Sequence, residues 1–223
     1  MRGFHGNEGV RSRSRPRKDH FLSNPQVLLA SNSPRRRDLL AQTRVRFGVV
    51  AVELDETPLP GEAPEAYVLR VAMDKARAGR ALTAGRWELP VLAADTAVVV
   101  EGRILGKPRD RADAAAMLRL LAGRTHSVLT GVALVGALEG QALSASQVSF
   151  RAIEAAEIEA YWDTGEPADK AGGYAIQGLG AVFVSELRGS YSGVMGLPLF
   201  ETARLLCDAG IPVLAPVPGL NPR

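Results

Sequence analysis

Val27-Leu28-Leu29-Ala30-Ser31-Asn32-Ser33-Pro34-Arg35-Arg36-Arg37-Asp38-Leu39-Leu40 decides how the rest of this 223-residue chain is read. An apolar run, a short polar turn and a proline-started segment ending in Leu39-Leu40 predict strand, tight turn and helix. Ser33 is expected at the N-cap and Pro34 at the first helical position, where its missing N–H costs nothing. A helix start presents unpaired N–H groups and partial positive charge. With Ser31, Ser33, Arg35 and Arg36 around it, such a start makes a cradle suited to phosphate. A capped helix followed by solvated arginines has the same local signature, so the decision rests on the remaining chain.

The net charge of +3 is unevenly spread. Of 27 basic and 24 acidic residues, six and two fall in residues 1–25, which leaves 21 against 22 in the body. The basic isoelectric point therefore says nothing about nucleic-acid affinity of the folded part. Arg11-Ser12-Arg13-Ser14-Arg15-Pro16-Arg17-Lys18 has no apolar residue, and residues 1–25 are expected to be a disordered extension that touches nucleic acid weakly at most. No secretory apolar core and no run of about 18 apolar residues occurs, so no membrane partner is expected. The single cysteine, Cys207, excludes an internal disulfide and a cysteine-rich zinc site. It fits a reducing, cytoplasmic setting and is expected to pack into the core from a helix.

Strands are expected at 45–52, 90–100 and 181–187, with 104–106 pairing back as a hairpin and β-rich segments at 125–138 and 141–153. Helices are expected at 64–82, 113–121, 154–164 and 199–209. This alternation is an α/β pattern with a mixed sheet. No linker divides it, so the expectation is one elongated, two-lobed domain over 26–215, with helices flanking a mixed central sheet and a Pro-rich tail at 216–223.

Asp95 interrupts the apolar run from Val91 to Val100. A carboxylate in a buried strand is costly unless a cation compensates it, which points to a catalytic or metal-binding group facing a cleft. Residues 169–180 are dense in glycine, implying unusual backbone angles or a ligand close to the main chain. Gln177 within them offers an amide able to meet the edge of uracil or thymine, and a flipped amide could equally meet cytosine. Lys107 in Gly106-Lys107-Pro108, Glu56 in the loop 55–62 and Lys75 in a helix read, on their own, as solvated charges. His126 has no metal-ligating neighbour and reads as structural. No Walker loop, no G-x-S-x-G elbow and no His/Cys cluster is present.

Together, Ala30-Ser31-Asn32-Ser33-Pro34-Arg35-Arg36, Asp55-Glu56, Asp74-Lys75-Ala76, Ala94-Asp95-Thr96, Gly106-Lys107-Pro108, Gly123-Arg124-Thr125-His126, Asp169-Lys170-Ala171-Gly172, Ile176-Gln177-Gly178 and Gly196-Leu197-Pro198-Leu199 resemble the Maf family of nucleoside triphosphate pyrophosphatases. The resemblance runs from Val27 to about Cys207 and is similar to the branch that hydrolyses dTTP and UTP. It implies a fold related to inosine triphosphatases and a divalent cation, Mg²⁺ or Mn²⁺, held by Asp95 and Glu56. It implies that Asp95 accepts a proton, that Arg35, Thr96 and Gln177 shape substrate choice, and that Glu56, Lys75 and Lys107 are the other charged cleft residues. Ser31, Ser33, Arg35 and Arg36 would then hold phosphates. A homodimer is left open. The competing reading is a non-catalytic, nucleotide-sensing regulator of cell division.

Overall fold

The computed structural model describes residues 24–214. The expectations for the arginine-rich extension and the Pro-rich tail fall almost wholly outside the described residues. The chain runs β1 (Val27–Ala30), α1 (Pro34–Gln42), β2 (Phe47–Val50), α2 (Pro64–Thr83), β3 (Val91–Val100), β4 (Arg103–Leu105), α3 (Arg111–Leu121), β5 (Thr125–Val135), β6 (Glu139–Phe150) and α4 (Ala155–Asp163). Three short 3-10 turns follow (Glu166–Asp169, Ala171–Gly173, Leu179–Phe183), then β7 (Val184–Arg188), α5 (Tyr191–Met195) and α6 (Leu199–Asp208). The strands form one sheet ordered β2-β1-β3-β5-β6-β7, with β4 pairing β3. The β1–β2 and β1–β3 pairs are parallel and the others antiparallel, so the sheet is mixed and helices flank it.

Two features of this topology place a cleft. The chain leaves β1 for β2 on one side and later returns to β3 on the other. The end of β1 is therefore a switch point, where open α/β sheets bind ligands. On the same edge, β1 pairs with β3 only at Val91 and Leu92, and β4 joins only at Val98. Residues 93–97 of β3 have no strand partner there, and Asp95 is in the middle of them.

The other edge of β3 is fully paired, Asp95 opposite Gly131 and Thr96 opposite Thr130. Cross-strand partners share a face and consecutive residues face opposite ways. A Cβ on Gly131 would collide with the Val68 carbonyl of α2, so Asp95 and Gly131 share the α2 face. Lys75 lies two helical turns beyond Val68, on the same buried side of α2. The missing side chain at position 131 thus lets α2 lie close enough to bring a lysine to Asp95.

Several expectations need correction. Cys207 is exposed, not packed in the core. Thr202 and Leu206, four residues apart, take the buried stripe of α6 and leave Cys207 rotated out of it. Ser33 and Pro34 occupy the expected cap and first position, but the Ser33 side chain makes no capping bond. Its N–H instead donates to Ser31 Oγ at 3.2 Å. Residues 181–183 belong to a 3-10 turn, so β7 begins later than expected. Helix α5 was not foreseen. It is five residues long with a glycine inside, and it forms because Ser190 caps Gly193 N–H and Thr130 Oγ1 donates to Gly193 O. Asn32 in the β1–α1 turn has no left-handed backbone angle.

His126 is structural, as its lack of ligating neighbours implied. It is 2% exposed, its Nε2 is 2.8 Å from the Tyr174 hydroxyl, and Phe150 and Tyr174 meet it edge-on. Burial pulls its pKa from 6.5 down to about 4. The unfolded chain therefore binds a proton that the folded one refuses between those values. Stability held above pH 6.5 should decline by about 3 kcal/mol as pH falls to 4. Urea unfolding at pH 7 and 4.5 checks this: the pH-dependent loss should shrink in His126→Gln, and an equal loss in that variant would assign it to other groups. No described helix is long and apolar enough to cross a membrane.

Candidate active site

The gap in β3 opens into a cavity of about 540 Å³, a size ordinary for a small-molecule site. The β1–α1 turn contributes Ser31 and Ser33, the first turn of α1 contributes Arg35 and Arg36, the loop after β2 contributes Glu56, and α2 contributes Tyr67 and Lys75. Asp95 and Thr96 come from β3, Lys107 from the turn after β4, and Asp169, Lys170 and Gln177 from the 3-10 segment. All ten residues singled out in the sequence line this one cavity. Asp95 and Arg35 therefore share a wall-to-wall space.

Lys75 is at its centre. Nζ lies 2.8 Å from Asp95 Oδ1 and 2.8 Å from Glu56 Oε2. The Asp95 and Lys75 side chains are 7% and 11% exposed, whereas Glu56 is 49% exposed. The buried pair is thus Asp95–Lys75, each supplying the counter-charge that makes the other's burial tolerable. Only Oδ1 of Asp95 is bonded to protein among the described residues, so Oδ2 is uncommitted. Beside them, burial, and then the charges of Asp95 and Glu56, push the Tyr67 phenol up to about 12.

Arg36 and Thr96 are committed to structure. Arg36 Nε donates to Gly196 O at 2.7 Å and Nη2 to Thr96 Oγ1 at 3.2 Å. Thr130 Oγ1 donates to Gly193 O, so the 3.0 Å contact between the two threonine hydroxyls has Thr96 as donor. This directed string, Arg36 to Thr96 to Thr130 to Gly193, ties α1 and α5 across the face of the sheet opposite Asp95. Burial lowers the Arg36 pKa; Asp95 and Glu56 oppose the shift, and Arg35 adds to it.

Arg35 is freer, with one 3.9 Å ion pair to Asp169, which also pairs with Lys170. Lys107 is exposed and makes no ion pair among the described residues; its turn is held by Gly172 N–H donating to Gly106 O at 3.0 Å. Gln177 is exposed and its amide makes no protein hydrogen bond among the described residues. Five cationic side chains (Arg35, Arg36, Lys75, Lys107, Lys170) and three carboxylates (Glu56, Asp95, Asp169) line the cavity, a positive balance suited to a polyanion.

Sequence reasoning assigned no site role to Tyr67, Lys170, Thr130 or Gly131. Tyr67 was hidden in the apolar period of α2. Thr130 and Gly131 gave no signal, because their importance comes from facing Thr96 and Asp95 across a strand pair.

The family model described as "Maf-like protein" matches residues 26–209, a span that contains every residue of this cavity. The chain belongs to the Maf-like family. Among similar proteins, the dTTP/UTP pyrophosphatase of Alkalilimnicola ehrlichii is 58% identical over 185 residues, covering 82% of this chain and 92% of that protein. The dTTP/UTP pyrophosphatase of Saccharophagus degradans is 55% identical over 189 residues, covering 84% and 90%. A dITP/XTP pyrophosphatase structure from Mycobacterium abscessus aligns with TM-score 0.36 and 23% identity, over 57% of this chain and 74% of that one.

The donor set of this Maf-like cavity bears on a metal. No cluster of three or more ligating side chains occurs among the described residues. Of the three carboxylates lining the cavity, Asp95 and Glu56 meet at Lys75 Nζ, and each keeps one oxygen without a protein partner among the described residues. Hard oxygen donors of that number suit Mg²⁺ or Mn²⁺ when phosphate oxygens and water complete the shell.

Proposed function

We propose that this protein hydrolyses dTTP and UTP to the nucleoside monophosphate and pyrophosphate. The observation that carries the reading is the Asp95–Lys75–Glu56 constellation in a cationic cavity within a Maf-like chain. Relatives at 58% and 55% identity that bear the name dTTP/UTP pyrophosphatase support the substrate class.

Ser31, Ser33 and Arg35 hold the phosphates at the start of α1, with Arg36 and Thr96 keeping that turn in place. The Ser33 hydroxyl makes no cap bond and is free for this task. Water attacks the α-phosphorus in line with the bridging oxygen to the β-phosphate, and that P–O bond breaks. Asp95 orients the water through Oδ2 and takes its proton, while Lys75 holds Oδ1 and so fixes the carboxylate plane. Lys75 and Lys107 stabilise negative charge on the departing pyrophosphate. Glu56 and Asp95 would hold a divalent cation, which supplies Lewis-acid stabilisation of the phosphoryl oxygens when bound. Gln177 presents its amide to the pyrimidine edge. A regulator that only binds nucleotide would need no buried carboxylate aimed into the phosphate space.

The test is incubation of the purified protein with each ribo- and deoxyribonucleoside triphosphate and Mg²⁺ or Mn²⁺, measuring pyrophosphate against orthophosphate. Pyrophosphate and monophosphate in equal amounts, fastest from dTTP and UTP, are expected. Orthophosphate as the product would mean attack at the γ-phosphorus and a different chemistry.

A further inference from the structure

Gln177 makes no side-chain bond to the protein among the described residues, so the protein fixes only its backbone. That backbone is gripped from both sides. Glu166 Oε1 accepts the Tyr161 hydroxyl at 2.6 Å and Gly180 N–H at 2.9 Å, and Oε2 accepts Leu179 N–H at 3.0 Å. The Tyr161 hydroxyl in turn accepts Ala175 N–H at 3.1 Å. Bonds therefore arrive just before and just after Ile176-Gln177-Gly178. Gly178 N–H closes the turn on Ala175 O at 3.1 Å, and a Cβ at Gly178 would run into the Glu166 carboxylate.

Neither Glu166 nor Tyr161 lines the cavity. Tyr161 is 4% exposed and anchored in the core with Phe183. Burial pushes its phenol up, so it remains a donor. Burial works against charge on Glu166, but hydrogen bonds from Tyr161, Gly180 and Leu179 outweigh it and hold the carboxyl below its ordinary value. The clamp is thus charged and complete at neutral pH.

We infer that Glu166, acting with Tyr161, is a positioning residue for pyrimidine discrimination, because it immobilises the turn from which Gln177 reads the base. The inference rests on the proposed function. A free glutamine amide can turn over and accept cytosine as well as uracil. The clamp leaves the amide free to rotate, but it fixes how far the Gln177 backbone stands from the base edge. When the turn loosens, the whole side chain can shift to pair with either base, and a wrong base no longer leaves groups unpaired.

The experiment compares wild type with Glu166→Gln, Tyr161→Phe, Gln177→Ala and Glu166→Gln/Gln177→Ala. It reads kcat/KM for UTP and CTP, inhibition by inorganic pyrophosphate, and melting temperature. A glutamine at 166 puts a donor where one oxygen accepted an N–H. Tyr161→Phe keeps the ring but drops the Ala175 bond. The UTP-to-CTP ratio should fall about tenfold in Glu166→Gln and in Tyr161→Phe, with pyrophosphate inhibition within about twofold of wild type. Glu166→Gln should change the ratio no further in the Gln177→Ala background. An unchanged ratio in the folded single variants overturns the inference, and so does an equal further drop when Gln177 is already absent. Tyr161→Phe carries the test if Glu166→Gln does not fold. A wild type that releases pyrophosphate from no triphosphate overturns the proposed function instead, and calorimetric UTP and CTP binding then makes the same comparison.

Discussion

Asp95→Asn should lower kcat for UTP by about a thousandfold while leaving the Kd of a non-hydrolysable UTP analogue within about threefold. Asparagine keeps the shape and an acceptor for Lys75 Nζ, which is now 2.8 Å from Oδ1. It cannot take a proton from water through the second position, where Oδ2 is uncommitted among the described residues. The proposed phosphate contacts come from Ser31, Ser33 and Arg35 rather than from Asp95, so binding should survive. Rapid-quench turnover and calorimetric binding measure the two effects separately. Retention of more than about a tenth of wild-type kcat would place the proton acceptor elsewhere.

Lys75→Met should be the most destabilising change in the site, by about 3 kcal/mol in chemical denaturation. It keeps the apolar length of the side chain and removes the ammonium from between two carboxylates. Glu56 is half exposed and can turn to water, so its loss is small. Asp95 has a 7% exposed side chain in the middle of a strand and cannot. Its charge would remain buried without a partner. Lys75→Met/Asp95→Asn should recover most of the loss, because the uncompensated charge is gone. A loss below about 1 kcal/mol for Lys75→Met alone would show that Asp95 is already well solvated. Turnover should fall with the same substitution, since the Oδ1 bond orients the oxygen that faces the cavity.

Much of this arrangement was legible in the sequence for identifiable reasons. The run from Val91 to Val100 is too apolar to be anything but buried, so a carboxylate inside it demanded a partner. The 3.6-residue period of α2 was strong enough to place its bounds within about one residue, whereas Lys75, which reads alone as a solvated charge, is shown to be buried only by the fold. The Ser-Pro start of α1 declared itself through proline chemistry. Other features left no local trace. Cys207 adjoins Leu206 in sequence, but only the seating of α6 on the sheet decides which of the two turns inward. Helix α5 is too short to show a period and exists through Thr130 and Ser190. Arg35 and Arg36 are indistinguishable as letters, yet one keeps its guanidinium largely available while the other spends two donors on Gly196 and Thr96.

By itself the sequence determined the longer strands and helices, that the sheet is mixed, and that the carboxylate inside β3 needs a partner, because period, turn chemistry and the penalty on a buried charge act over a few neighbours. Only the tertiary structure decided that residues 93–97 of β3 are left unpaired beside the end of β1, that Gly131 lets α2 deliver Lys75 to Asp95, and that Glu166 and Tyr161 hold the Gln177 turn. Those outcomes depend on strand register and helix approach, which bring together side chains tens of residues apart and are settled by the packing of the whole sheet.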